Sequence, residues 1–116
     1  MPVRMYGISN CDTVKKARAF LNERGVAFDF IDYKKQGVPP GPLTEWVAAL
    51  GWELLLNRKG NTWRGLDEAQ RVAVTDASSA QRLMLAQPSV IKRPVMEWAS
   101  GQVTVGFDAA QWAGRV

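Results

Sequence analysis

Hydrophobic and polar positions change their period three times along this chain. Val3-Arg4-Met5-Tyr6 has the character of a short strand, ended by the breaker Gly7 and the polar turn Ser9-Asn10. From Asp12 to Arg24 the spacing becomes helical: Val14, Ala17, Phe20 and Leu21 share one face, Lys15, Lys16, Glu23 and Arg24 lie off it, and Gly25 ends the run. Phe28 to Tyr33 is aromatic and β-branched with partial alternation, which predicts a second strand. Strand, helix and strand within so short a stretch form a βαβ unit, whose strands run parallel.

The middle of the chain has a different texture. Lys34 to Pro42, with Gly37, Pro39, Pro40, Gly41 and Pro42, reads as a loop. Leu43, Trp46, Val47 and Leu50 then share a helix face ending at Gly51, and Trp52 to Leu56 forms a short apolar turn. Short helices are predicted over Asp67–Val74 and Ala77–Ala86, the second capped by Asp76 and followed by Pro88. Beyond it, Ser89-Val90-Ile91 reads as a strand. Val95 to Trp98 and Gln102 to Val105 form a hairpin around Ala99-Ser100-Gly101, and Asp108 caps a last helix through Trp112. The outline is α/β: β-α-β, a helical block, then β-β-α, with a mixed sheet.

Composition narrows the chemistry. The 116 residues suffice for one domain with a core of its own. Histidine is absent and cysteine occurs once, so imidazole catalysis, a CxxC pair, an internal disulfide and a Cys/His metal site are all excluded. No tight acidic cluster suggests a carboxylate metal site. The net charge is +4, but its 15 basic residues are scattered among 11 acids, and Lys15-Lys16 and Lys34-Lys35 are too short to track a nucleic-acid backbone. Small anionic partners fit this balance equally well. The apolar run Trp46 to Leu50 falls far short of the roughly 20 residues of a membrane span. With no apolar signal region after Met1-Pro2-Val3, the expected compartment is the cytoplasm. The five tryptophans fall mostly on apolar faces and are expected in the core.

Cys11 stands at the join between the first strand and the first helix. With Ser9 and Asn10 as cap residues, it is expected in the first turn, where backbone amides and the helix dipole favour negative charge. Two readings of it stand side by side: a small buried hydrophobe, or a nucleophile in the thiolate form beside amides that cradle an oxyanion or carboxylate. Asp12 next door works against the thiolate. Arg93-Pro94 is the second informative spot. A cis bond there would mark a constrained turn holding Arg93 toward the first βα loop, whereas the plainer reading is a solvated arginine before an edge-strand proline. Arg58, in Asn57-Arg58-Lys59-Gly60, is a loop cation.

These stretches, read together, resemble a known family. Met5-Tyr6-Gly7-Ile8-Ser9-Asn10-Cys11-Asp12-Thr13-Val14-Lys15-Lys16-Ala17 is similar to the opening of the ArsC family of arsenate-reductase-like proteins. Phe30-Ile31-Asp32-Tyr33, Asn57 to Arg64 and Ser89 to Val95 follow in the same order. The nearest resemblance is to the YffB-like branch of the Spx/MgsR grouping. It implies a thioredoxin-like fold, with its parts at about 1–35 and 88–116 and a helical insertion at about 42–87. It also implies Cys11 as nucleophile, Arg58 and Arg93 as anion-binding cations, Pro94 as a cis-proline and Asn10 lining the pocket. Glutathione would be the co-substrate, with glutaredoxin as a further partner. Two departures shape the expectation. Gln102 to Phe107 lacks the further arginine that arsenate reductases of this type carry, and Val14 stands where Spx regulators carry a second cysteine. The resemblance therefore implies a glutathione-dependent monothiol oxidoreductase. The alternatives are an arsenate reductase linked to glutathione and glutaredoxin, or a Spx-like regulator that binds RNA polymerase.

Overall fold

The computed structural model describes residues 2–116, which divide into two compact units: residues 2–32 with 93–116, and residues 33–92. The first unit is built around β1 (Val3–Gly7), which pairs on both sides. Parallel to it lies β2 (Phe28–Asp32), in a register that sets Gly7 opposite Asp32. Antiparallel to it lies β3 (Val95–Glu97), with Tyr6 opposite Val95, and β4 (Val103–Val105) completes the order β2-β1-β3-β4. The mixed sheet and the parallel βαβ start agree with the sequence pattern.

Between β1 and β2 runs α1 (Asp12–Glu23), whose buried residues are Val14, Ala17, Phe20 and Leu21, the face set by the apolar spacing. It ends in a Schellman motif. The Val26 amide donates to the Leu21 carbonyl at 3.0 Å and the Gly25 amide to that of Asn22 at 3.1 Å, with Gly25 at φ +66°. At its other end α1 lies close on β1: a Cβ on Gly7 would stand 2.9 Å from Val14 Cγ2, so only glycine fits without a shift. The core of this unit is Met5, Met96, Trp98 and Trp112 with the buried face of α1. The last helix, α8 (Ala109–Ala113), is capped by Asp108, whose carboxylate accepts from the Gln111 amide at 3.0 Å. It delivers Trp112 edge-on to Trp98 at 4.9 Å and Phe107 at 4.8 Å between ring centres. Trp98 also donates from Nε1 to Thr104 Oγ1 across the hairpin at 2.8 Å.

The second unit is helical: α2 (Tyr33–Gln36), α3 (Pro40–Leu50), α4 (Trp52–Leu55), α5 (Asn61–Gly65), α6 (Glu68–Val72) and α7 (Ala77–Ala86). Helices α3, α4 and α7 pack on one another, and Leu43, Trp46, Val47, Leu55, Ala80 and Met84 are buried. Three expectations are corrected in this unit. The supposed loop at 34–42 contains α2 and the start of α3, because Pro40 and Pro42 sit in the first turn, where a missing amide costs nothing. The apolar turn at 52–56 is the helix α4. Residues 88–90 form a 3-10 turn rather than a strand, and Ile91 makes a single bridge to Leu56, flanked by Asn57 N to Val90 O at 2.7 Å and Lys92 N to Leu55 O at 2.8 Å. The helix α5, at Asn61–Gly65, has no counterpart in the sequence pattern. The remaining departures are boundary shifts, as β1 runs on through Gly7 and Asp67 is the cap of α6 rather than its first residue. Of the tryptophans, Trp46, Trp98 and Trp112 are buried, whereas Trp52 and Trp63 are half-buried.

Two predictions follow from this packing. Trp112→Ala, which empties the aromatic corner, is expected to lower the unfolding free energy by about 3–5 kcal/mol in a denaturant titration. A loss below about 1 kcal/mol would show that the corner collapses without it. The second concerns α7, whose cap Asp76 accepts from the Ser79 amide at 2.8 Å and from the Ser79 hydroxyl at 2.8 Å. These bonds, the amide's first, with the Arg82 charge, hold the Asp76 carboxyl below the ordinary aspartate value. Its contribution is thus complete above the unfolded-state pKa and fades as pH falls through the lowered one, below about pH 4. Asp76→Asn, which still caps, is expected to flatten the acid limb of the melting-temperature profile, and Asp76→Ala to lower melting at every pH.

Candidate functional site

The register of β1 decides what meets at one end of the first unit's sheet. Because β2 is parallel and β3 antiparallel to β1, the end of β1, the end of β2 and the start of β3 lie together. Residues 8–11 leave β1 there, Asp32 ends β2 there, and Arg93-Pro94 leads into β3 there. The open edge of a strand-to-helix turn in such a sheet is where ligands dock.

Cys11 is the N-cap of α1 rather than a first-turn residue, a correction with a clear backbone cause. Its φ of −142° and ψ of 125° are extended, while its carbonyl already accepts from the Lys15 amide at 2.9 Å. Serine, asparagine and aspartate at this position spend a side-chain oxygen on the first-turn amides. The Cys11 side chain makes no such bond, which leaves those amides to whatever anion arrives. The residue is half-buried and packs against the core of its unit, so its thiol is neither sealed nor fully solvated. Asp12 lies in the first turn, and Asn10 is exposed on the loop.

Ser9, expected as a cap residue, is used differently. Its amide donates to Asp32 Oδ2 at 3.0 Å and its hydroxyl to the same oxygen at 2.8 Å. Asp32 is buried, at 7% exposure. Its part in holding the cysteine loop escaped the sequence reading, although Asp32 stood within a quoted motif. Residue type gives little local signal, since β2 also carries the exposed Asp29, and the partner of Asp32 lies 23 residues away, where the β1–β2 register brings it.

The bond between Arg93 and Pro94 is cis. Pro94 is buried and its carbonyl accepts from the Gly106 amide at 2.9 Å. It precedes an interior strand, paired on both sides, not an edge strand. Arg93 is half-buried. Cys11, Asn10, Arg93 and Pro94 thus belong to the first unit, where the topology gathers them at one end of the sheet. Arg58 belongs to the second unit, exposed in the bend of Asn57 to Gly60, with its guanidinium carbon 5.4 Å from the ring centre of Trp52. That bend is kept tight by the Lys59 amide donating to Asn57 Oδ1 at 3.2 Å. Residues 102–107, which carry β4, contain no arginine. Among the described residues no group of histidine, cysteine, aspartate and glutamate is placed to hold a metal ion, and no helix is long and apolar enough to cross a membrane.

Comparison with known proteins adds to this geometry. The sequence model of the ArsC family matches residues 6–114. A solved structure of a YffB protein is 50% identical, with a TM-score of 0.91 over 97% of both chains. An arsenate reductase (ArsC) related protein from Brucella melitensis is 49% identical, with a TM-score of 0.76 over 98% of this chain and 93% of that one. An uncharacterized protein of Haemophilus influenzae is 34% identical over 110 residues, 95% of each chain. These neighbours carry the thioredoxin-like fold, and the order β2-β1-β3-β4 with its helical insertion is the same fold here.

A half-buried thiol that is the only one in the chain makes a simple prediction. Iodoacetamide is expected to add one carbamidomethyl group per folded chain, absent from Cys11→Ser, as read by intact-mass spectrometry. Labelling that waits for denaturant would mean a sealed sulfur.

Proposed function

Since this chain belongs to the ArsC family, we propose that it is a glutathione-dependent thiol reductase in which Cys11 is the sole reacting sulfur. The observation that carries the proposal is the seat of that sulfur: the N-cap of a twelve-residue helix, with no side-chain bond occupying the first-turn amides. First-turn amides that the cap side chain leaves open can receive an anionic group, and the attacking species of a cysteine is its thiolate. Family and lone cysteine together support thiol-based oxidoreductase chemistry. Glutathione is the finer step, supported by the chain's need for an external thiol.

The reaction runs in two exchanges. The Cys11 thiolate attacks the glutathionyl sulfur of a mixed disulfide; a new S–S bond forms to Cys11, the old one breaks, and the substrate leaves as a thiolate that takes a proton from water. A second glutathione, as thiolate, then attacks the glutathionyl sulfur on Cys11, giving glutathione disulfide and restoring the Cys11 thiolate. The substrate disulfide is reduced and two glutathionyl groups end as one disulfide, so electrons balance with no second protein cysteine. Glutaredoxin is the alternative resolving partner. Arg93, at the same end of the sheet as residues 8–11, suits a glutathione carboxylate, since guanidinium forks onto carboxylates. Arg58 enters through its motif, Asn57 to Gly60, and not through geometry. Arsenate reduction is the weaker reading, because 102–107 offers no arginine to help hold the oxyanion.

The test is adduct formation with glutathione disulfide. One glutathionyl group per chain is expected on the wild type and none on Cys11→Ser. Arg93→Ala and Arg58→Ala are each expected to slow the adduct by about tenfold, the worth of one charge-assisted contact of about 1.4 kcal/mol. No adduct on the wild type, or equal rates in all three chains, would discard the corresponding assignment.

A further inference from the structure

Residues 8–11 are held from both sides. On the helix side the Cys11 carbonyl accepts from Lys15 N at 2.9 Å. On the strand side Ser9, two residues earlier, gives both its amide and its hydroxyl to one oxygen of Asp32, at 3.0 Å and 2.8 Å. A carboxylate at 7% exposure is costly to bury unless it is hydrogen-bonded, and a charged acceptor makes each bond stronger than a neutral one. Asp32 itself is fixed by the β1–β2 ladder, opposite Gly7, where β1 ends. The sheet and the buried carboxylate therefore form one connection to Ser9, two residues before the cysteine.

We infer that Asp32 is a positioning residue for Cys11: acting through Ser9, it fixes the loop so that the sulfur stays at the first-turn amides of α1. The inference rests on the reading of Cys11 as the reacting sulfur, and adds how that sulfur is kept in place. Charge alone gives the opposite expectation. A nearby carboxylate disfavours a thiolate, so removing it by itself speeds the attack. A carboxylate that positions the loop slows the attack when removed. The sign separates the two.

The experiment is the second-order rate of Cys11 with iodoacetamide, measured on the full chain by intact mass and independent of glutathione. Asp32→Ala, checked for native circular dichroism, is expected to react at least about fivefold more slowly, as misplacement of a reacting group does. Asp32→Asn keeps an oxygen able to accept both Ser9 bonds and is expected within about twofold of wild type. Ser9→Ala loses one bond of two and is expected about two- to threefold slow, and it carries the test if Asp32→Ala does not fold. A folded Asp32→Ala at or above the wild-type rate overturns the inference. So does an Asp32→Asn as slow as Asp32→Ala, or, where the alanine variant is unfolded, a Ser9→Ala at the wild-type rate. If wild type alkylates but takes no glutathionyl group, the glutathione reading fails alone, and the ratios among the variants still decide the role of Asp32.

Discussion

The two-sided pairing of β1 is the constraint on which the first unit depends. A strand bound in parallel on one side and antiparallel on the other brings two strand ends and one strand start to the same edge. That edge receives the loop carrying Cys11, the carboxylate of Asp32 and the cis Arg93-Pro94 step. Had β2 run antiparallel, Asp32 would close the opposite edge and Ser9 would have no partner there. The helix α1 completes the arrangement because Gly7 lets it lie close on the strand, with Val14 in the space a side chain would fill.

From that edge the chemistry narrows quickly. A chain without histidine has no imidazole to take a thiol proton, and a chain with one cysteine cannot resolve its own adduct. What remains to resolve an adduct on Cys11 is a thiol from outside the chain. In the reading proposed above, Cys11 stands at the N-cap of α1 with no side-chain bond of its own to the first-turn amides, and glutathione is the thiol proposed to come from outside.

The fold was largely legible in local pattern. The face of α1, the capped helix Ala77–Ala86, the closing hairpin and the helix behind Asp108 each follow from spacing and cap chemistry within a dozen residues. The misreadings share a cause, which is that proline and short apolar runs carry two meanings. Pro40 and Pro42 look like loop residues but occupy a first helical turn, and Ser89-Val90-Ile91 has strand-like residues in a 3-10 turn that makes a single bridge. The site divides likewise. Cys11 and Arg93-Pro94 announce themselves through neighbours in sequence, whereas Asp32 and Ser9 meet only because of strand register, which no local pattern displays. Cys11 was displaced by one position, from first turn to cap, because Ser9 and Asn10 looked like better caps and Ser9 is engaged by Asp32 instead.

The most direct measurement is steady-state reduction of a small glutathione mixed disulfide, followed through the glutathione disulfide released, with both substrates varied. A single sulfur that is loaded and then unloaded gives parallel double-reciprocal lines, the signature of two half-reactions through a covalent intermediate, and no turnover in Cys11→Ser. Intersecting lines, or turnover that persists without Cys11, would contradict the account.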